Sequence, residues 1–370
     1  MRFHTLGFPV INNFPGDIRE FTPSLFAYLD GFDIVPVLEE GYGKRLGYSK
    51  QDYLDASAKV IFKERRDVFS QDILITLKNP ENEDLEQLRD GSGLFSMIHY
   101  HTRPQCVKLI NRKQLKSFSM DSMVDDRGIR TFVDYFGTAF AGSETAFGVL
   151  KEIRKDFDDD ERKPFVVTIV GAGGVAQGCV RSMEVLSDRE LFAKHLPGLI
   201  TQVITRSVTE DDRALRRVLK DTDILVDATN RPDSTVFIIT NDQLGELKEQ
   251  AIILDLAADR YDTSIDPPQV KAFEGTIKGT PDNMIRKTDD PDYEAVPKSV
   301  STKNRRLTVS CDAWPSVHPK ESIEFYQILM KNYLNILLTK DTDELDINSN
   351  DTFERSLCRS SIGYFNAHNK

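Results

Sequence analysis

Short apolar segments alternate with amphipathic segments along most of the chain. Before residue 140, apolar runs at 34–38, 72–77 and 94–98 are typical of buried strands, and residues 49–58 are typical of a helix. Small and apolar side chains recur at helical spacing over 138–150, which predicts a closely packed helix that crosses into a second domain. Strands and helices in alternation predict an α/β fold.

The alternation continues in the second half of the chain and predicts a parallel sheet. Strand-like runs occur at 165–170, 199–205, 224–229, 251–256 and 307–311, and helix-like segments at 175–186, 213–219, 242–248 and 322–338. We therefore predict two Rossmann-like domains: a discontinuous catalytic domain of residues 1–140 plus 316–370, and an inserted doubly wound dinucleotide-binding domain of residues 141–315. The charged stretch 155–163 is typical of a solvated loop.

Length and charge exclude several classes of protein. At 370 residues the chain is longer than one ordinary core, and no window approaches the ~18 uninterrupted apolar residues of a membrane span. A net charge of −11 argues against nucleic acid or an anionic membrane surface as a partner. The four cysteines form no C-x-x-C pair, so we expect no metal site, no disulfide framework and a reducing, cytoplasmic location.

The segment 165–178 carries the strongest single motif. It reads as a buried strand, a glycine-rich turn and the start of a helix. In a dinucleotide cradle, Gly171 permits the tight turn and Gly173 lets backbone amides approach a pyrophosphate, while the helix start supplies partial positive charge. The cofactor-binding residues predicted here are Gly171, Gly173, Gly174, Val175 and Ala176.

The end of the next predicted strand bears on cofactor choice. Enzymes that prefer NAD usually place a carboxylate there against the ribose 2′-hydroxyl, but this chain has Thr205-Arg206-Ser207. Arg206 can stack on adenine and pair with a 2′-phosphate, and Ser207 offers a second donor. NADP(H) is therefore favoured, and NAD(H) stays open.

Charged residues at two predicted strand ends of the first domain are candidates for catalysis. Lys78 follows one strand and His99 follows the next, so both would face the active-site cleft that we expect between the two domains. Arg19 and Arg130 offer guanidinium forks for substrate carboxylates. Spacing alone is a weak signal for all four, because strand-end lysines are usually just exposed and single arginines usually form surface ion pairs.

Several motifs in the same order resemble the alanine dehydrogenase and saccharopine dehydrogenase superfamily, over residues 1 to about 335. Besides Lys78 and His99, the resemblance is carried by the segments 121–130, 140–142, 171–178, 254–259 and 310–320. The chain looks most like the lysine-forming saccharopine dehydrogenases, also called lysine–ketoglutarate reductases. Residues 39–44 and 174–178 are also similar to N5-(carboxyethyl)ornithine synthase.

The resemblance implies a role for each candidate residue. It makes Lys78 and His99 the acid–base groups, and it extends the cofactor site to Asp255 and Ala257. A lysine whose pKa is lowered by burial or by neighbouring positive charge is a reasonable base near neutral pH. Arginines would hold the substrate carboxylates and acidic residues would line the site, and this implied substrate-binding set is Arg19, Arg130, Asp121 and Asp312.

The interpretation that follows is an NAD(P)-dependent oxidoreductase acting on a CH–NH bond. It would interconvert an amino acid plus a 2-oxo acid with an opine-like secondary amine. These small molecules would be its partners, and assembly into a homo-oligomer is compatible with the sequence. Two alternatives stay open: a primary-amine dehydrogenase of the alanine type, and a catalytically silent NADP(H)-binding regulator. Residues 312–316 resemble the saccharopine version, whereas Asn79 and Asp134 depart from its pattern and leave the substrate pair undetermined.

Overall fold

Two units of the chain fold around separate, mainly parallel sheets. Unit 1 consists of Met1–Asp134 and Pro319–Lys370, and unit 2 consists of Tyr135–His318. The structure is a computed structural model, and the residues it describes are 1–11, 15–231, 233–257 and 259–369.

Strands and helices alternate along both units. The strands within the described residues are β1 (Thr5–Phe8), β2 (Val35–Glu39), β3 (Ile61–Lys63), β4 (Ile73–Lys78), β5 (Gly93–Met97), β6 (Lys116–Ser119), β7 (Phe165–Val170), β8 (Leu199–Ile204), β9 (Ile224–Asp227), β10 (Ile252–Asp255), β11 (Ile285–Arg286) and β12 (Leu307–Ser310). The α-helices are α1 (Pro23–Leu29), α2 (Lys50–Ala56), α3 (Arg65–Phe69), α4 (Asn82–Leu85), α5 (Pro104–Arg112), α6 (Tyr135–Ile153), α7 (Gly174–Glu190), α8 (Arg206–Thr209), α9 (Asp212–Asp221), α10 (Asn241–Leu244), α11 (Pro319–Thr339), α12 (Thr352–Arg359) and α13 (Ile362–His368).

The unit 1 sheet has the order β3-β2-β1-β4-β5-β6, with every neighbouring pair parallel. The chain order reverses between β1 and β4, so the loops that follow these two strands leave in opposite directions and open a crevice at their carboxyl ends. The pairing of β4 with β5 shifts register between Ile75 and Lys78. Such an irregularity changes the direction of the side chains that follow it, here at the end of β4.

Apolar side chains cover both faces of the unit 1 sheet. Ile73 and Ile75 of β4 pack in one buried cluster with residues of α1 and α11, such as Leu25 and Met330. Leu74, which points to the opposite face, packs in a second cluster with residues of α5. Helix α11 belongs to unit 1, because its apolar side completes the first of these clusters.

The unit 2 sheet has the order β11-β12-β10-β9-β7-β8, and all pairs are parallel except that of β11 with β12. The central strand β7 lies between β8 and β9. It leads into α7, which is the second-longest helix described in this unit. The crevice of this sheet therefore opens at the carboxyl end of β7, where the glycine-rich turn begins.

The predicted α/β fold class is confirmed, and most predicted elements are present. The helix predicted over 242–248 ends at Leu244, because Gly245 follows and the backbone continues in turns. The boundary predicted after residue 140 falls inside α6, whereas unit 2 begins with the first residue of that helix. Within the described residues, no helix has both the length and the apolar character to cross a membrane.

Candidate functional site

The carboxyl edge of the unit 1 sheet gathers most of the predicted catalytic residues. Lys78 is the last residue of β4, and His99 follows β5. Asp121 lies in the turn after β6, and Arg19 lies in the segment between β1 and α1. These positions share one edge because the strands are parallel.

Asp17 joins two of these residues. Its Oδ1 accepts a hydrogen bond of 2.6 Å from Nε of Arg19, and its Oδ2 lies 2.8 Å from Nζ of Lys78. Burial would raise the pKa of Asp17, but the positive charges of Arg19 and Lys78 outweigh burial and lower it below its ordinary value. An adjacent carboxylate favours the charged ammonium, which argues against the neutral lysine base expected from the sequence.

His99 is paired with Asp121 at the neighbouring strand end. Nδ1 of His99 lies 3.4 Å from Oδ2 of Asp121, and the backbone N–H of His99 donates to Oδ1 of the same carboxylate at 3.0 Å. The hydroxyl of Ser119 also donates to that Oδ1, at 2.7 Å. His99 has a left-handed backbone with φ of +57°, a conformation rare for residues with a side chain and common at functional positions.

The electrostatic surroundings keep the His99 ring uncharged near pH 7. Partial burial lowers the pKa of His99, Asp121 acts in the opposite direction, and the positive charges of Arg103, Arg130 and Lys78 lower it further. The net result is a pKa below the ordinary value of 6.5. Three cationic side chains therefore lie close enough to act on one imidazole.

Three arginines at this edge retain guanidinium donors that no described residue accepts. Arg130 is exposed and Arg103 is half-buried, and neither guanidinium has a hydrogen bond or ion pair within the described chain. Arg19 uses only its Nε, for Asp17, so its two terminal nitrogens have no described partner. Arg103 was not predicted from the sequence. It lies near His99 because a short 3-10 turn separates the two residues, and the sequence pattern did not indicate that turn.

The glycine-rich turn of unit 2 has the geometry of an anion-binding loop. Gly171 has φ of +109°, and a Cβ there would lie 2.6 Å from the carbonyl oxygen of Ala228, so both conformation and space require glycine. Gly173 caps the start of α7, and a Cβ there would meet no atom within 4 Å. The space beside the first amides of α7 is therefore unobstructed within this unit.

The other residues of the turn hold α7 against α6. A Cβ on Gly174 would lie 2.7 Å from the ring of Tyr135, and one on Gly178 would lie 2.7 Å from the carbonyl oxygen of Tyr135. Ala176 is buried in the same region, and Val175 is half-buried. Gly178 thus serves the close contact between the two helices.

Arg206 and Ser207 lie at the end of β8, next to the glycine-rich turn. The backbone N–H of Gly171 donates to the carbonyl of Ile204 at 3.0 Å, which ties the two strand ends together. Arg206 is the first residue of α8, is exposed, and has no side-chain partner among the described residues. The hydroxyl of Ser207 lies 3.4 Å from that of Thr205. A cationic and a hydroxyl donor are therefore available at this strand end.

Buried acidic side chains lie at the ends of β9 and β10. Asp227 and Asp255 are register partners on these neighbouring strands, and both are buried. Lys271 is also buried and its Nζ lies 2.6 Å from Oδ2 of Asp255, which also accepts from Ser310 at 3.1 Å. Asp227 accepts from the backbone and the hydroxyl of Thr229. Burial and the charge of Asp255 raise the pKa of Asp227 to about 7.

The remaining predicted residues of unit 2 lie near this cluster in sequence. Ala257 follows β10 and is half-buried, while Ala258, which belongs to the motif 254–259, lies outside the described residues. Oδ2 of Asp312 lies 3.4 Å from Nζ of Lys278. In the described part of the chain, no group of three or more His, Cys, Asp or Glu side chains is arranged to hold a metal ion.

Comparison with known families identifies part of unit 1. Residues 21–136 match the model of the family described as alanine dehydrogenase/PNT, N-terminal domain. This segment is therefore similar to alanine dehydrogenase/PNT N-terminal domains. It contains β2 to β6 and carries Lys78, His99, Asp121 and Arg130. The superfamily resemblance predicted from the motifs is confirmed.

Curated relatives extend the similarity beyond that domain. The chain is 20% identical to an NAD(P) transhydrogenase subunit alpha of Haemophilus influenzae, in a match that spans 88% of this chain but only 64% of the relative. It is 23% identical to an N(5)-(carboxyethyl)ornithine synthase of Lactococcus lactis, over 81% of this chain and 91% of the relative.

Solved structures share the fold of the whole chain. An L-alanine dehydrogenase matches with a TM-score of 0.68 and 13% identity, over 96% of this chain and 94% of that protein. A transhydrogenase from Sinorhizobium meliloti matches with a TM-score of 0.62 and 12% identity, over 96% of this chain and 97% of that protein. At these identities the likeness is one of fold.

The raised pKa of Asp227 makes stability depend on pH. Between about pH 4 and pH 7 the folded protein holds a proton on Asp227 that the unfolded chain has lost, so stability falls as pH rises, by up to about 1.4 kcal/mol per pH unit. Asp227→Asn should remove this part of the slope, since the amide stays neutral and keeps an oxygen for Thr229. Urea unfolding at pH 5 and pH 7 measures the difference.

Asp223→Asn is the matched control for that measurement. Asp223 is equally buried but pairs with Arg154 at 2.6 Å and Lys248 at 2.9 Å, so its replacement should lower stability at both pH values. A pH slope between 5 and 7 that is the same in Asp227→Asn and in the wild type would contradict the assignment.

Proposed function

We propose that this protein is an NAD(P)-dependent oxidoreductase that acts on the CH–NH bond of an amino-acid derivative. In this proposal it interconverts an amino acid plus a 2-oxo acid with an opine-like secondary amine, and NADP(H) is the favoured cofactor. The observation that carries the proposal is the set of guanidinium donors without described partners beside Lys78 and His99, in a protein whose net charge is −11.

The cofactor belongs on unit 2 in this proposal. The backbone at Gly173 leaves room for a pyrophosphate at the start of α7, and Arg206 offers a fork for a 2′-phosphate. The residues present therefore fit a dinucleotide. When bound, its nicotinamide ring would accept or supply the hydride of the reaction.

The substrate belongs at the carboxyl edge of unit 1. Amino acids and 2-oxo acids each carry a carboxylate, and guanidinium groups bind carboxylates through two parallel hydrogen bonds. Arg19 and Arg130 take the roles suggested from the sequence, and Arg103 adds a third cation near His99. A product that joins two such acids carries at least two carboxylates, which matches more than one unpaired guanidinium.

Cofactor choice is tested at Arg206. Arg206→Ala removes the charged fork, so the affinity for NADPH should fall roughly ten- to a hundredfold while the affinity for NADH stays within about twofold. Binding is measured by titration of intrinsic fluorescence. Arg189→Ala is the control. Arg189 lies in the last turn of α7, about 20 Å along the helix axis from the glycine-rich turn. Equal affinity of the wild type for NADH and NADPH would contradict the preference.

The acid–base and carboxylate roles are tested by a pair of substitutions in unit 1. Lys78→Met should lower the turnover number by roughly 10²–10⁴-fold and leave NADPH affinity unchanged, because it removes a proton-transferring amine and keeps the aliphatic stem. Arg130→Lys should mainly raise KM for the acid substrate, because the charge stays and the fork is lost. Steady-state oxidation of NADPH gives both constants.

Two neighbouring residues provide controls for these substitutions. Arg127 lies in the same turn as Arg130, but its guanidinium is held by Asp125 at 2.9 Å, so Arg127→Lys should change neither constant by more than about twofold. His101 is exposed and packs on Phe365, so His101→Gln should also be nearly silent. Turnover that persists at the wild-type rate in Lys78→Met would rule out its acid–base role.

A further inference from the structure

The carboxylate of Asp17 bridges two cationic side chains from different parts of the unit 1 sheet. Asp17 and Arg19 come from the segment after β1, and Lys78 ends β4, which is the neighbour of β1 across the point where the chain order reverses. Each oxygen of the carboxylate serves one cation, at 2.6 Å and 2.8 Å. Asp17 is only 1% exposed, so the bridge lies inside the unit.

Burial makes this bridge costly to break. A buried carboxylate is costly unless cations surround it, and two buried cations are equally costly without the carboxylate. The short ion pair therefore favours the ionised carboxylate of Asp17 and the ammonium form of Lys78. Asp17 also holds the Arg19 guanidinium through Nε.

His99 has the opposite environment. The positive charges of Lys78, Arg103 and Arg130 act on its ring, and its Nδ1 lies 3.4 Å from the carboxylate of Asp121. A neutral imidazole and an ammonium at one sheet edge are an acid–base pair in complementary protonation states at neutral pH.

We propose that Asp17 is the positioning residue of this site, which holds Lys78 as the proton donor and thereby leaves His99 as the proton acceptor. This inference rests on the proposed function. It corrects the sequence-based expectation, in which Lys78 served as a neutral base.

The division of roles accounts for the protons that move between a carbinolamine and the secondary amine. As the C=N bond forms from a carbinolamine, the leaving oxygen takes a proton from Lys78 and departs as water, and the nitrogen loses a proton to His99. A dinucleotide held at the glycine-rich turn and Arg206 would supply the hydride for the carbon, and His99 returns its proton to the nitrogen. Solvent reprotonates Lys78, so the overall change consumes one hydride and one proton and releases one water.

The test is competitive acetylation of lysines with acetic anhydride between pH 6 and pH 11, read by mass spectrometry of the Lys78 peptide. Lys63, an exposed lysine of unit 1, is the internal reference. In the wild type, Lys78 should become reactive at a higher pH than Lys63. In Asp17→Asn the labelling midpoint of Lys78 should fall by about one pH unit or more, with Lys63 unchanged. Asp17→Glu should keep the high midpoint.

Two results would overturn the inference. One is a Lys78 midpoint at or below that of Lys63 in the wild type, a measurement that does not depend on whether Asp17→Asn folds. The other is a midpoint that is the same in Asp17→Asn and in the wild type. Labelling needs no substrate, so an absence of turnover with every acid and amine would contradict the proposed function and leave this test unaffected.

Where turnover is measurable, its pH profile gives a second readout. The alkaline limb of kcat/KM should move to lower pH in Asp17→Asn, because loss of the carboxylate lets Lys78 lose its proton earlier. A loss of packing alone would lower activity at all pH values without moving that limb.

Discussion

The carboxyl ends of β1, β4, β5 and β6 meet at one edge of the unit 1 sheet because these strands run parallel. This constraint decides where the chemistry of the unit lies. The segments after these strands supply Asp17, Lys78, His99 and Asp121, from positions far apart in the sequence. A change in strand order would separate the ion pair of Asp17 with Lys78 from that of His99 with Asp121. Unit 2 follows the same rule, with its glycine-rich turn after β7 and Arg206 after β8.

Positive side chains are concentrated at this edge of the unit 1 sheet. The chain as a whole carries a net charge of −11, yet two guanidinium groups and one ammonium lie near a single imidazole. Most other arginines in unit 1 are already paired, as Arg45 is with Glu20 and Arg65 with Glu39. In the proposed function this local concentration of cations, rather than the overall charge, suits the edge to carboxylates.

The sequence predicted those elements whose apolar pattern is continuous. β10 is an uninterrupted apolar run before a polar strand end and β4 is interrupted only by Thr76, and both were predicted within one or two residues. Three short strands, β1, β3 and β6, were not predicted. β1 has only four residues including a glycine, and β3 has only three. β6 consists of one lysine, two serines and one phenylalanine, so it has no apolar run. The edge strand β6 has a register fixed by its neighbour β5 and by no pattern of its own.

The candidate site was predictable in part for a related reason. Lys78 and His99 follow recognisable strands, so their place at the sheet edge could be predicted. The role of Asp17 could not, because an ion pair between distant positions depends on the order of the strands, which the sequence does not state. The same holds for Asp227 and Asp255, whose mutual repulsion arises from pairing of β9 with β10. Arg103 became a candidate only through its charge on His99.

The most direct test of the account is isotope transfer from deuterated cofactor. NADPH labelled with deuterium at the transferable C4 position is incubated with the protein, a mixture of amino acids, and either pyruvate or 2-oxoglutarate, and the products are read by mass spectrometry. The account predicts deuterium on carbon in a secondary amine that joins one amino acid to the oxo acid, and its loss in Lys78→Met. Deuterium in a primary amine or a hydroxy acid, or no transfer in any mixture, would contradict it.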